Sequence, residues 1–296
     1  MPFLYSVLFG TIFGGSSSVA VISLASRLKV SEKCSTILSL ESAFTDIFCI
    51  VFSLVVIEII LKRAVDLTAI GQSIASRFST GIVLGIIFGL IWLSILKRIA
   101  KASYVYILTL AVLLLAYSLS EYLGGSGSLC SLLFGIMLGN EKEIYRILRM
   151  ERLPNMVVDM GLKKFESEVA FLLRTFFFVY IGSIVSISHV TIVIAGTILS
   201  LILLLVRFGA VALTTVRSDE LIKERWIMSV MLTRGLAAAV LATLPLQYAD
   251  PTKYPEADPI FEDLSPIYIN LAVVIILATA IIATVGIPLL KRKAET

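Results

Sequence analysis

The chain has 296 residues, with 25 Lys+Arg, 21 Asp+Glu and one His, for a net charge of +4. Hydrophobic residues make up 58% and charged residues 16%, against roughly 45–50% and about 25% in soluble domains. That excess excludes a soluble enzyme, a nucleic-acid binder and a disordered chain. The three cysteines, Cys34, Cys49 and Cys130, sit in apolar context and exclude a disulfide framework.

A bilayer core of ~30 Å takes about 20 apolar residues per helix. The sequence predicts nine spans, at 3–26, 36–61, 79–96, 104–120, 124–139, 169–187, 190–213, 226–247 and 265–290. No segment alternates with a period of two, so a β-barrel is excluded and helices satisfy the backbone. The expected fold is all-α: a polytopic helical membrane protein of about nine transmembrane helices, two of them discontinuous. With the C-terminal Lys291-Arg292-Lys293 inside, the inside loops hold 18 Lys/Arg and the outside segments four. That bias predicts an N-terminus outside and a C-terminus in the cytoplasm of a cell.

In chain order, the first span carries Gly14-Gly15-Ser16-Ser17-Ser18 at its middle. Two glycines and three serines either break the helix beside protein or water, as at ion sites of secondary transporters, or form a small-residue packing face. The second span carries Glu41 and Asp46. Asp46 falls ~15 Å into it, near the midplane, and the two carboxylates point about 140° apart on the wheel. An ionisable group there is costly. Both acids are either ion-paired for structure or, in the case of Asp46, able to bind a proton and a cation reversibly.

Residues 140–168 interleave charge with Ile144, Ile147, Leu148 and Leu153, which predicts a cytoplasmic amphipathic linker at the membrane surface. Arg174 lies a turn into the sixth span and either snorkels to the interface or faces the bundle. His189 falls in an outside turn. Arg207 lies deep in the seventh span and requires a carboxylate or carbonyl partner. Thr233-Arg234-Gly235 interrupts the eighth and pairs with the first break. The 248–264 loop is acidic and faces outside, where it either concentrates cations at an entrance or is simply solvated.

Gly14–Val21 (GGSSSVAV), Ser39–Asp46 (SLESAFTD), Arg207 and Thr233–Pro245 (TRGLAAAVLATLP) follow one another in an order that resembles the cation:proton antiporters of the sodium/proton exchanger superfamily. Gly124–Asn140 (GGSGSLCSLLFGIMLGN) is similar to a mid-fold helix of its prokaryotic members. The resemblance covers residues 1–296 as one transmembrane domain. It implies that the chain corresponds to the last nine spans and lacks the first four or so.

The resemblance also implies residue roles. Asp46 matches the carboxylate that binds cation and proton in turn, and Ser42 a serine beside the cation. Glu41 matches a carboxylate bridged to an arginine, matched by Arg207. Ser16 and Ser17 fall where many members have Thr-Asp, and Thr45 where members have Asn or Asp. Gly14, Gly15, Arg234, Gly235 and Arg174 are the candidate helix-break and charge residues.

The expected function is exchange of a monovalent cation, Na⁺ first and K⁺ or Li⁺ as alternatives, for H⁺ by alternating access. The transported Na⁺ sits at Asp46, aided by Ser16, Ser42 and carbonyls near Gly15. One cation for one proton makes the exchange electroneutral, unless Arg174 also exchanges protons. The other reading is a non-transporting remnant or subunit of such an antiporter. The chain is expected to be no enzyme and to need no cofactor. Its partners are the two ions, the lipid bilayer and a second copy in a homodimer, with no nucleic acid. A channel lacks a repeated filter here, an ATP-driven pump lacks a Walker motif, and a serine protease would have its sole His189 in an outside turn.

Overall fold

Long apolar runs leave the backbone to satisfy its own hydrogen bonds, which in lipid means helices. The computed structural model describes residues 3–17, 21, 28, 30–62, 66–99, 104–147, 160–186, 189–252, 254 and 258–294, without the side chains of 160 and 288–294. Most of the second half of the first predicted span (18–20 and 22–26), the middle of the predicted linker (148–159) and Glu256 of the acidic loop lie outside the described residues. So do Arg27, Lys29, Arg63, Lys101 and Lys253 of the loop charges, and the side chains of Lys291, Arg292 and Lys293.

The described residues form twelve helices: α1 Phe3–Ile12, α2 Glu32–Lys62, α3 Leu67–Ile99, α4 Val105–Tyr122, α5 Gly127–Gly139, α6 Glu141–Ile147, α7 Met160–Ile184, α8 Val190–Thr215, α9 Asp219–Val230, α10 Leu236–Leu241, α11 Leu244–Tyr248 and α12 Ile260–Ala294. Six of them are long and apolar enough to cross a membrane, and shorter apolar helices account for the remaining predicted spans. The fold is all-α, as expected, and two predicted spans are discontinuous. The first stops at Ile12, and the eighth is interrupted at 231–235.

Two boundaries differ from the sequence reading. The third span, expected from residue 79, lies in a helix that begins at Leu67, so Arg77 sits on that helix and not in a loop. The sixth, expected from 169, begins at Met160 and takes up Lys163 and Lys164. In both, apolarity marks only the lipid-buried part of a helix that runs on through a polar stretch.

The chain divides into two units, residues 1–64 with 177–296, and residues 65–176. In the second unit, Gly81, Gly85 and Gly89 of α3 lie against α5 and its N-cap, with Ser126 (for Gly81), Cys130 and Leu133 (for Gly85) and Met137 (for Gly89) too close for any larger side chain on α3. Small residues at four-residue spacing let helices approach without a hydrophobic driving force. Trp92 donates from Nε1 to Thr109 Oγ1 at 3.1 Å and joins α3 to α4.

The first unit holds two apolar clusters. One contains Leu8, Ile12, Ile57, Ala238, Phe261 and Tyr268, and the other Cys34, Leu38, Val211, Met231 and Ala283. Three chain segments thread both and are polar or glycine-rich between them, Gly14–Ser17, Glu41–Asp46 and Thr233–Gly235, and α12 threads both with Thr279 as its one polar residue at that level. A polar layer is thus held between two dry ones.

Candidate functional site

The polar layer is built on two helix ends. After Ile12 the chain leaves the helix and runs through Gly14, Gly15, Ser16 and Ser17 without regular structure, and 231–235 likewise run without regular structure between α9 and α10. The two stretches are joined where Ser17 N–H donates to the Thr233 carbonyl at 2.7 Å. At this junction Gly235 has no room for a Cβ, which would run into Ser17 Oγ and stand 2.6 Å from Ser17 Cβ. Its φ of −137° is open to any residue, so the constraint is steric. Gly235→Ala should lower stability by about 1–3 kcal/mol, read as a lower Tm of the purified protein. Adding Ser17→Gly should recover most of that loss. A single Gly235→Ala variant with an unchanged Tm would show that the crossing gives way freely.

The ends of broken helices leave carbonyls without intrahelical partners, carrying partial negative charge. Here Arg234 takes two carbonyls of the non-helical segment just past the end of α1: its Nη1 donates to Gly14 O at 2.9 Å and to Gly15 O. The Arg234 N–H donates to Thr279 Oγ1 of α12 at 3.1 Å. The carbonyls near Gly15, expected to face the cation, are therefore bonded to a guanidinium.

The second wall is one face of α2. Ser42, Thr45, Asp46, Cys49 and Ser53 recur at three- and four-residue spacing, which stacks them along the broken segment. Ser42 Oγ donates to Ser16 O at 2.5 Å, and Ser16 N–H donates weakly to Thr45 Oγ1 at 3.4 Å. Asp46 lies directly over Gly15, where a Cβ would stand 2.8 Å from Asp46 Oδ1 and 3.3 Å from Cys49 Sγ. Asp46 is half-buried and accepts no hydrogen bond from a described residue.

Glu41 points elsewhere. Both its oxygens accept from Arg207 of α8, through Nη1 and, at 2.9 Å, through Nη2. Arg207 Nε also donates to Met228 O at 3.3 Å, one of the carbonyls that α9 leaves unpaired at its end. One arginine thus ties α2, α8 and α9 together.

Of the candidate residues, Gly14, Gly15, Ser16, Ser17, Ser42, Thr45, Asp46, Arg234 and Gly235 form one cluster, and Glu41 of α2, paired with Arg207 of α8, flanks it. Arg174 lies on α7 in the second unit and forms no ion pair or hydrogen bond with another described residue. One member of the cluster, Cys49, is not singled out from sequence as a site residue, and Thr233 is read there only as part of the second break. Cys49 was legible as lying one turn from Asp46. Thr233 Oγ1 is buried with no hydrogen-bond partner among the described residues, as is Arg234 Nε, and no sequence signal marks a hydroxyl as unpartnered.

The model of the sodium/hydrogen exchanger transmembrane family matches residues 1–293. The chain belongs to the sodium/hydrogen exchanger family. The K⁺/H⁺ antiporter NhaP2 of Shewanella baltica is 25% identical over all of this chain and 48% of its own length. The protein of the same name in Shewanella oneidensis is 31% identical over 48% of this chain and 25% of its own. A low-affinity Na⁺/H⁺ antiporter of Synechocystis, NhaS1, is 26% identical over 64% of this chain and 35% of its own. The chain thus spans half or less of the length of these relatives. The solved structure of the sodium proton antiporter of Methanocaldococcus jannaschii shares the fold, with a TM-score of 0.72 at 21% identity, over 95% of this chain and 69% of that one. This is a multi-pass membrane protein of a transporter family.

Proposed function

We propose that the chain exchanges a monovalent cation for a proton by alternating access, the two ions competing for Asp46. The observation that carries this reading is a half-buried carboxylate, without a hydrogen-bond donor among the described residues, over a broken helix in a polar layer between two apolar clusters. Protonated, Asp46 is neutral. Ionised, it attracts a small cation, and the same polar layer supplies hydroxyl oxygens on Ser16, Ser17, Ser42, Thr45 and Thr233, by analogy with oxygen-ligand sites for hard cations. Arg234 offsets the carbonyls of Gly14 and Gly15, and Glu41 and Arg207 offset each other. The charge of the site therefore changes equally when one proton or one cation binds, and exchange is electroneutral.

Na⁺ is the first reading, on the family description. K⁺ is favoured by the names of the Shewanella relatives. The distribution of Lys and Arg supports a cell-membrane topology with the N-terminus outside, and the family resemblance supports a homodimer.

The test uses the purified chain in proteoliposomes with a pH-sensitive dye. A Na⁺ gradient should drive proton movement that a membrane-potential clamp does not change. Where protons compete, the apparent KM for Na⁺ should rise about tenfold for each pH unit of acidification, with the maximal rate unchanged. A KM independent of pH would remove the competition, and flux with K⁺ alone would reassign the substrate. No flux with either ion would favour the subunit reading.

A further inference from the structure

We propose that the cleft between α4, α5 and α7 in the second unit binds a phospholipid with a phosphoethanolamine headgroup. The cleft has a volume of about 470 Å³, within the range of about 300–1,000 Å³ that small-molecule sites occupy. Its walls are apolar, formed by Leu110, Leu114, Phe134, Leu138, Val169 and Leu173.

The floor is open for a specific reason. Ser131, Gly135 and Gly139 follow at four-residue intervals on α5 and line the cleft. Nothing lies within 4 Å of where a Cβ would stand on Gly135 or Gly139. Gly81, Gly85 and Gly89 of α3, by contrast, are in tight contact with α5 and its N-cap. One small-residue face in this unit is filled by a helix, and this one is not. An acyl chain is the apolar group a bilayer supplies in the right shape.

Two charged side chains in the lining identify the headgroup. Lys163 and Glu166 are three residues apart on α7, hence neighbours on one face. Both are exposed, and neither forms an ion pair or hydrogen bond with another described residue, although Lys164 and Glu168 beside them approach to 3.9 Å. They stand ~5–9 Å from the start of α7 along its axis, at the end of a membrane-length helix, where polar headgroups lie. A cation and an anion side by side suit a phosphate and a primary ammonium on one molecule, each contact a charge-assisted hydrogen bond. Phosphatidylglycerol offers Glu166 no cation. The quaternary ammonium of phosphatidylcholine has no hydrogen to donate.

The test is lipid retention. The purified full chain is delipidated, mixed with equal amounts of dioleoyl phosphatidylethanolamine, phosphatidylglycerol and phosphatidylcholine in detergent, and examined by native mass spectrometry. Phosphatidylethanolamine should be retained about tenfold over the other two, the worth of one charge-assisted contact. Glu166→Lys, at an exposed position, should switch the preference to phosphatidylglycerol. Gly139→Leu should fill the floor and end retention of all three, and Leu114→Trp should do the same from the opposite wall should the glycine variant fail to fold. Equal retention of the three lipids, an unchanged preference in Glu166→Lys, or undiminished binding in a folded filled-cleft variant would each overturn the assignment.

Discussion

Asp46→Asn brings cation-driven proton flux down to the level of empty liposomes, a drop of at least ~100-fold, which amounts to about 2.7 kcal/mol or more of lost barrier lowering. Asn keeps the shape of the side chain over Gly15 and against Cys49. It cannot carry a negative charge or take up a proton in the working range, so both halves of the exchange stop together. The fold has little reason to suffer. No described residue donates a hydrogen bond to Asp46, so the substitution orphans no partner among them. The change in stability should stay within about 0.5–1 kcal/mol, with a near-unchanged Tm. Asp46→Glu separates charge from geometry: it keeps the carboxylate but pushes it further toward a backbone with no free space at Gly15. It should retain measurable exchange with a raised KM. A folded Asn variant that keeps more than a tenth of the flux would move the exchanging group elsewhere.

The fold was legible because lipid leaves the backbone so few options. Run length is a one-dimensional signal, and the apolar helices could be read from it, while the two discontinuities could be read from Gly14-Gly15-Ser16-Ser17-Ser18 and Thr233-Arg234-Gly235. The extra turns of α3 and α7 could not, because Leu67–Phe78 and Met160–Glu168 are helical without being apolar. Within the site, the divergence of Glu41 and Asp46 follows from helical geometry alone: five residues on α2 turn one toward α8 and the other toward the broken α1. The partner of Arg234 did not follow. It is a pair of main-chain carbonyls at Gly14 and Gly15, and any residue type offers a carbonyl. The same holds for the Ser17 N–H on the Thr233 carbonyl. Contacts made by backbone at a helix break carry no residue signature, and only the break itself is visible in the glycines and serines.

Removing one partner of the Glu41–Arg207 pair should cost stability more than removing both. The pair lies between membrane-length helices, with Arg207 13% and Glu41 32% exposed on their side chains. Glu41→Gln leaves the guanidinium with the Met228 carbonyl and no counter-charge, and Arg207→Gln leaves a carboxylate in the same position. An uncompensated charge of this kind costs about 3–5 kcal/mol, comparable to the ~2.5–3.5 kcal/mol of an arginine at the centre of a membrane helix. The double variant Glu41→Gln with Arg207→Gln removes both charges and leaves amides that can bond to each other. It should be more stable than either single variant, a departure from additivity of the size seen for directly bonded pairs, up to about 3 kcal/mol. The measurement is Tm of the three variants in one detergent, followed by flux. Because the pair also holds α9 just ahead of the 231–235 break, a double variant that regains stability without regaining exchange would mean that the charges set the alignment of the broken segments. Additive losses in stability would instead show that each residue is held by its other contacts and that the pair is not the tie between α2 and α8.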